Sequence, residues 1–184
     1  MKRLIFFAFL LSTCLMYGQE IKVPTKYELK KAEDYAPYQD SVKATAQWMI
    51  KTALFYNRSI RQAANQFVFR WVSGSPTTNV DIRPEFVDEV MSDKTNVFAY
   101  DLMMNYIAGM TLVKLGNKDA EDLIAQEAGI EAMLDGYRSI RETNKNVFLE
   151  KLLKIQEKGN LTNWVKNNSK VYKEKDKSKI IPKD

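Results

Sequence analysis

The chain has 184 residues, with 28 Lys and Arg, 23 Asp and Glu, one Cys and no His. With no histidine, and the single cysteine at position 14, the body of the chain cannot build a Ser-His-Asp triad, a cysteine nucleophile, a thiolate zinc site or a covalent haem attachment. The formal charge of +5 does not mark a nucleic-acid-binding face: Lys2 and Arg3 lie in a leader and seven lysines against three acids lie in 166–184, which leaves 20–165 one unit negative.

Lys2 and Arg3 form a short basic start, Leu4 to Tyr17 is apolar and uncharged, and Gly18-Gln19-Glu20 turns small and then polar. That pattern predicts a bacterial secretory signal over residues 1–19, cleaved after Gly18 or Gln19. The apolar run is shorter than the ~20 residues a span needs, so no transmembrane helix is expected after cleavage. Leu11-Ser12-Thr13-Cys14 resembles the bacterial lipobox, whose cysteine becomes a lipidated N-terminus. Thr13 stands where that pattern has Gly, Ala or Ser, and apolar Leu15, Met16 and Tyr17 follow. A periplasmic or secreted protein is therefore expected ahead of lipid anchoring at Cys14. Residues 20–165 suffice for one domain, held by packing without a disulfide.

In chain order, Glu20 to Lys26 reads as an extended lead-in containing Pro24, and Thr25 with Glu28 matches a capping box for a short helix from Lys26 to Asp34. Pro37 suits the first turn of a helix to about Tyr56, with Tyr38, Val42, Ala46, Met49, Ile50, Ala53 and Leu54 in helical rhythm and Trp48 to one side. Asn57-Arg58-Ser59 is a break. Ser59 with Gln62 is a second capping box, for a helix to about Ser73 with one broad apolar face from Ile60, Ala63 and Ala64 to Trp71 and Val72. Gly74-Ser75-Pro76 stops it. Thr77 to Arg83 does not read as helix, because Val80 and Ile82 alternate with Asn79 and Asp81. The whole connection from Gly74 to Arg83 is longer than most inside a helical domain. Pro84 then opens a short helix through Phe86, Val87, Val90 and Met91.

The most apolar stretch behind the leader is Asn96 to Leu115, interrupted by a narrow polar strip that starts at Asp101 and Asn105 and continues to Thr111. A helix apolar nearly all round must be covered on several sides, which predicts the central helix of an all-α domain. Gly116-Asn117 stops it, and the next helix, about Lys118 to Arg141, must return antiparallel. That second helix carries a large stripe (Ala120, Leu123, Ile130, Leu134, Tyr137) and, opposite it, a small one of Ala125, Gly129, Ala132 and Gly136. Interior glycines cost about 1 kcal/mol each relative to alanine. The small stripe therefore predicts another helix tightly packed on it, forming a third layer or belonging to a second copy of the chain. Asn146 caps a further helix ending at Gly159-Asn160, and Leu161 to Lys166, anchored by Trp164, adds a last turn or two. Residues 166–184 read as a lysine-rich flexible tail.

Gly109, Gly116, Ala120, Ala125 and Ala128 of the central pair resemble one tetratricopeptide unit, without that motif's closing proline or a second copy at its 34-residue period. The expected fold is all-α: six to eight helices stacked as antiparallel hairpins, tetratricopeptide-like or as an irregular bundle.

Carboxylate chemistry remains open to such a chain. Glu85, Asp88 and Glu89, or Glu127 and Glu131, are spaced along helices as a glycan hydrolase's pair would be if held ~5–9.5 Å apart across a cleft. The same spacing also describes a solvated helix face. No phosphate loop, dinucleotide fingerprint or calcium loop is present, so no cofactor or metal is expected. Candidate partner-binding residues are Asp101 and Asn105 on the central helix, and Arg70, Trp71, Asp81 and Arg83 on or beside the long loop. Gly129 and Gly136 of the small stripe complete the set. Asp101 and Asn105 would floor a ligand groove, mark the helix's exposed strip, or bond to a neighbouring helix end. Trp71 lies on a core stripe. The expected function is an exported, non-catalytic binding or scaffolding module of the cell envelope, with a protein or envelope partner and no nucleic acid. The alternatives are a small carboxylate-dependent glycan hydrolase and a carrier of an apolar ligand lined by Met103, Met104 and Met110.

Overall fold

A computed structural model describes residues 21–170, so the signal expected over residues 1–19 and residues 171–184 of the expected tail lie outside the described residues. The described part is all-helical and contains no strand. Seven α-helices follow one another: α1 (Gln39–Lys51), α2 (Arg58–Gly74), α3 (Pro84–Met91), α4 (Ala99–Gly116), α5 (Asp122–Ile140), α6 (Val147–Glu157) and α7 (Leu161–Asn168). None is long and apolar enough to cross a membrane.

The central position expected for the apolar run holds. α4 packs against α1, α2, α3 and α5 at once, and Leu102, Met104, Tyr106, Ile107, Ala108 and Met110 are fully buried. Its pairing with α5 is antiparallel, as the short connection requires. Asn105 lies beside Ala132 and Gly136, Tyr106 beside Gly129 and Gln126, and Gly109 beside Ala128, so the partner's numbers fall as those of α4 rise.

That register corrects the layer order expected from the small stripe. The small residues of α5 face α4 itself, not a further layer or a second copy. A Cβ at Gly129 would come within 2.6 Å of the Tyr106 ring, and one at Gly136 within 2.6 Å of the Asn105 amide. Ala125 and Ala132 are buried as well, Ala132 lying against Gly109 of α4. The side chains of α4 are bulky, so its neighbour must be small to approach closely. The outer layer, α6 and α7, is reached from the other side of α5. There Tyr137 donates its hydroxyl to Glu150 of α6 and accepts the backbone N–H of Asn146. The Arg141 guanidinium and the Tyr137 hydroxyl together hold the Glu150 carboxyl down to about 2.

Element ends differ from expectation where side chains take over backbone groups. The helix expected over 26–34 is absent. Asp34 accepts the N–H groups of Lys30 and Lys31, both at 2.8 Å, and closes a single 3-10 turn, Ala32–Asp34, which a second at Ala36–Tyr38 follows. α1 stops at Lys51 instead of about Tyr56. The cap of α2 is Asn57, held at φ 40 and accepting from Ile60 N–H, and not Ser59. α4 begins three residues after Asn96, whose side chain takes the Phe98 N–H at 3.0 Å, and α5 begins at Asp122 rather than Lys118. Pro84 at the start of α3, Asn146 as the cap of α6, and Gly159 (φ +67) as its stop are as expected. The folded part continues past residue 165: α7 reaches Asn168 and Ser169 is fully buried.

The seam between α4 and α5 makes a paired prediction. Gly109→Ala would drive its methyl into the Ala128 carbonyl and the Ala132 side chain, which are backbone and a short branch that cannot step aside. It should cost about 1–3 kcal/mol and lower the melting temperature by several degrees. Gly116→Ala, with nothing within 4 Å of its new methyl, should leave it unchanged or raise it. Equal effects of the two in calorimetry would contradict this packing.

Candidate functional site

The end of the bundle where α1 turns into α2 is built on a buried arginine. Helix α2 places Arg61 on the face shared by Ala64, Val68 and Trp71, and its side chain has no solvent exposure. The guanidinium sits at the C-terminal end of α1, where a helix leaves carbonyls without partners and carries a partial negative charge. Arg61 Nη2 donates to the carbonyls of Thr52 at 2.7 Å and Met49 at 3.2 Å, and Nη1 donates to Met49 at 3.2 Å. Longer bonds reach the Ala53 carbonyl and Asn105 Oδ1, both at 3.4 Å. The Trp48 ring lies over the group, 5.1 Å from its centroid. Burial pulls the Arg61 pKa down to about 10 while Asp101 pushes it back up, so it stays charged at neutral pH.

Two neighbours extend this network. Asn105 on α4 passes an N–H of its amide to the Ala132 carbonyl of α5 at 3.3 Å, through the space that Gly136 leaves open. Asp101, in the first turn of α4, accepts from Arg58 at 2.5 Å and from Asn65 at 2.7 Å, both on α2. Above Asp101 opens a cleft of about 490 Å³, lined by Arg58, Ser59, Gln62, Asn65, Val97 and Tyr100.

The turn between α1 and α2 is therefore rigid. Arg61 holds the carbonyls of Thr52 and Ala53, buried Leu54 donates its N–H to Ser139 Oγ of α5 at 3.1 Å, and Arg58 reaches the Leu54 carbonyl at 3.4 Å. From this fixed turn Phe55 and Tyr56 stand out at 61% and 58% exposure.

A second polar centre fixes the long loop. Arg83, at its end, is almost wholly buried and bonds to Asp122 of α5, to Asp81 at 3.3 Å and to Ser169 behind α7 at 2.7 Å. Gln126 accepts from the Tyr106 hydroxyl and donates to the Asp81 carbonyl at 2.7 Å. Between the loop and α4 lies a polar cleft of about 540 Å³ bordered by Ser75, Thr77, Asn79, Asp81, Lys114, Lys118 and Asp122.

Of the residues expected from sequence, Asp81 and Arg83 meet at the loop cleft, while Asp101 and Asn105 meet in the Arg61 network. Asp101 and Asn105 are not an exposed strip: they are 4% and 0% exposed, Asp101 accepting from Arg58 and Asn65 of α2, and Asn105 accepting from Arg61 and donating to the Ala132 carbonyl of α5. Arg70 is exposed on α2 and lines neither cleft. Trp71 is core, 1% exposed, with its indole N–H on the Tyr35 carbonyl at 2.9 Å. Gly129 and Gly136 are buried within the chain, which closes that stripe to self-association. Sequence reasoning does not single out Phe55, Arg58, Arg61, Asn65 or Tyr100. A signal exists for Arg61, which falls in helical register with Ala64, Val68 and Trp71.

The carboxylates proposed for hydrolysis are dispersed. Glu85 accepts the Lys170 N–H at 2.9 Å, and Glu127 accepts from Thr162 at 2.6 Å. Burial, with Glu127 adding to it, raises the Glu131 carboxyl, but neither Glu127 nor Glu131 lines either cleft. Among the described residues no three acidic side chains converge as a metal site would require. No protein-family model, curated protein or solved structure matches the chain.

Removing the central cation should be costly. Arg61→Met leaves the Met49 and Thr52 carbonyls buried without donors, at about 1–3 kcal/mol each, and should lower the unfolding free energy by about 3–5 kcal/mol in urea. Arg61→Lys, which keeps the charge but not the fork of donors, should recover only part of the loss. A wild-type midpoint for Arg61→Met would show that the network is not structural.

Proposed function

We propose that this chain is a non-catalytic helical binding module that works outside the cytoplasm and docks a protein partner on the turn between α1 and α2. The observation that carries the reading is the pair Phe55 and Tyr56, more than half exposed on a turn that a buried arginine holds still. Large aromatic side chains dominate the energetics of protein interfaces. A turn already ordered in the free protein loses little further entropy when it binds. Export is supported by the basic start, apolar run and small-polar junction of residues 1–19.

A non-enzymatic role is supported by what the clefts hold. The two carboxylates that border the loop cleft, Asp81 and Asp122, both lean on Nη2 of the same Arg83. A hydrolase pair stands apart across a cleft, with substrate or water between. The carrier alternative needs its methionines around a cavity. Met104 and Met110 are fully buried in the packed core, and Met103 lines neither cleft.

The test is site-specific photo-crosslinking of the full chain in the cells that make it. A photoreactive residue at position 55 or 56 should give a discrete protein adduct, and one at exposed Lys154 on α6 should give none. Uncrosslinked protein at both positions 55 and 56, from a chain that light scattering finds monomeric, would defeat the reading.

A further inference from the structure

We propose that the cleft above Asp101 is a binding site for a neutral, hydroxyl-rich ligand, a sugar unit of a glycan being the chemical class it fits. The site goes beyond the protein-docking surface, since neither Phe55 nor Tyr56 lines it. Its volume of about 490 Å³ falls within the ~300–1,000 Å³ usual for small-ligand pockets.

Three observations select the ligand. The first is a buried acceptor in need of a donor. Asn65 lines the cleft at 2% exposure and gives an N–H of its amide to Asp101, yet its own Oδ1 accepts no hydrogen bond. Buried polar atoms are nearly always paired, so a lone one beside a cleft points to a donor from outside. The second is charge. Arg58 and Arg61 against Asp101 leave the neighbourhood one unit positive, which disfavours an ammonium or guanidinium ligand. Arg58 already donates to Asp101 at 2.5 Å, so its charge is not free for an anion. What remains is a mixture: acceptors on Asn65 and Asp101, donors on Arg58, Gln62 and Ser59. A hydroxyl both donates and accepts, and adjacent hydroxyls of one ring can meet both kinds. The third is the wall, where Tyr100 at 47% and Val97 at 74% exposure offer apolar surface for the C–H face of a sugar ring.

The test uses the full chain without its leader and four disaccharides as probes: chitobiose, cellobiose, maltose and mannobiose, each at millimolar concentration. Saturation-transfer NMR should show contact with at least one of them. For that probe, Tyr100→Ala should raise Kd roughly fivefold to tenfold, with the melting temperature little changed because Tyr100 is half exposed. Gln62→Ala, also exposed, should weaken binding too and serves where Asn65→Ala fails to fold. Tyr56→Ala should bind as wild type. No transfer to any of the four disaccharides overturns the proposal. So does transfer that Tyr100→Ala and Gln62→Ala leave intact, or that Tyr56→Ala abolishes equally. Loss of the protein adduct at positions 55 and 56 would leave this site standing, so the two readings fail separately.

Discussion

The guanidinium of Arg61 is the contact on which the rest of the structure depends. Burying a cation costs several kcal/mol unless its hydrogen bonds are met and opposite charge lies near. Here the open carbonyl end of α1 meets those of the two terminal nitrogens, through Met49, Thr52 and Ala53. The negative end of that helix supplies partial charge, the Trp48 ring covers the group, and Asp101 supplies a full counter-charge nearby. Cation and helix end solve each other's problem, since each would be costly alone in an apolar interior. Through Asn105 and Ala132 the same network continues into α5, so α1, α2, α4 and α5 share one polar centre.

That centre also explains the local architecture around it. α1 ends at Lys51 because the next carbonyls are taken by Arg61, and a chain so held cannot continue its helical ladder. The released segment turns sharply through Leu54 and Asn57 and presents Phe55 and Tyr56 to solvent. Gly136 is a glycine because the Asn105 amide occupies the space of its missing methyl. A turn, a helix end and an interior glycine thus trace to one buried charge. Arg83 plays the matching part for the long loop, tying it to α5 through Asp122 and to the end of α7 through Ser169.

Much of the fold is legible in the chain because its signals are local. Pro84, Asn146 and Gly159 each act on their own backbone, and the helices begin or end where those residues stand. The all-round apolar character of α4 correctly places it at the centre, for a helix with no polar face has nowhere else to go. What such a helix does not reveal is which neighbour lies on which side, so the small stripe of α5 reads equally well as facing outward. Only the bulk of Tyr106 and the reach of Asn105 decide that it faces α4. The candidate site is half legible. Asp101 stands out as a charge on an apolar helix, and Asp81 and Arg83 as parts of an over-long loop. Arg61 is hidden because arginine ordinarily marks a solvated face, and its acceptors at 49, 52 and 105 become neighbours only after the helices assemble. Phe55 and Tyr56 show themselves only once the helix that would have absorbed them is seen to stop early.

The central claim, that Arg61 is a charged strut inside the bundle, bonded through both terminal nitrogens, is tested most directly by nitrogen-resolved NMR of the arginine side chains. A guanidinium bonded through both terminal nitrogens cannot rotate freely, and one without solvent exposure exchanges its protons slowly. One arginine, assigned to Arg61 by its loss in Arg61→Lys, should therefore show separate, slowly exchanging Nη protons at neutral pH. Averaged, rapidly exchanging signals from every arginine would contradict the account.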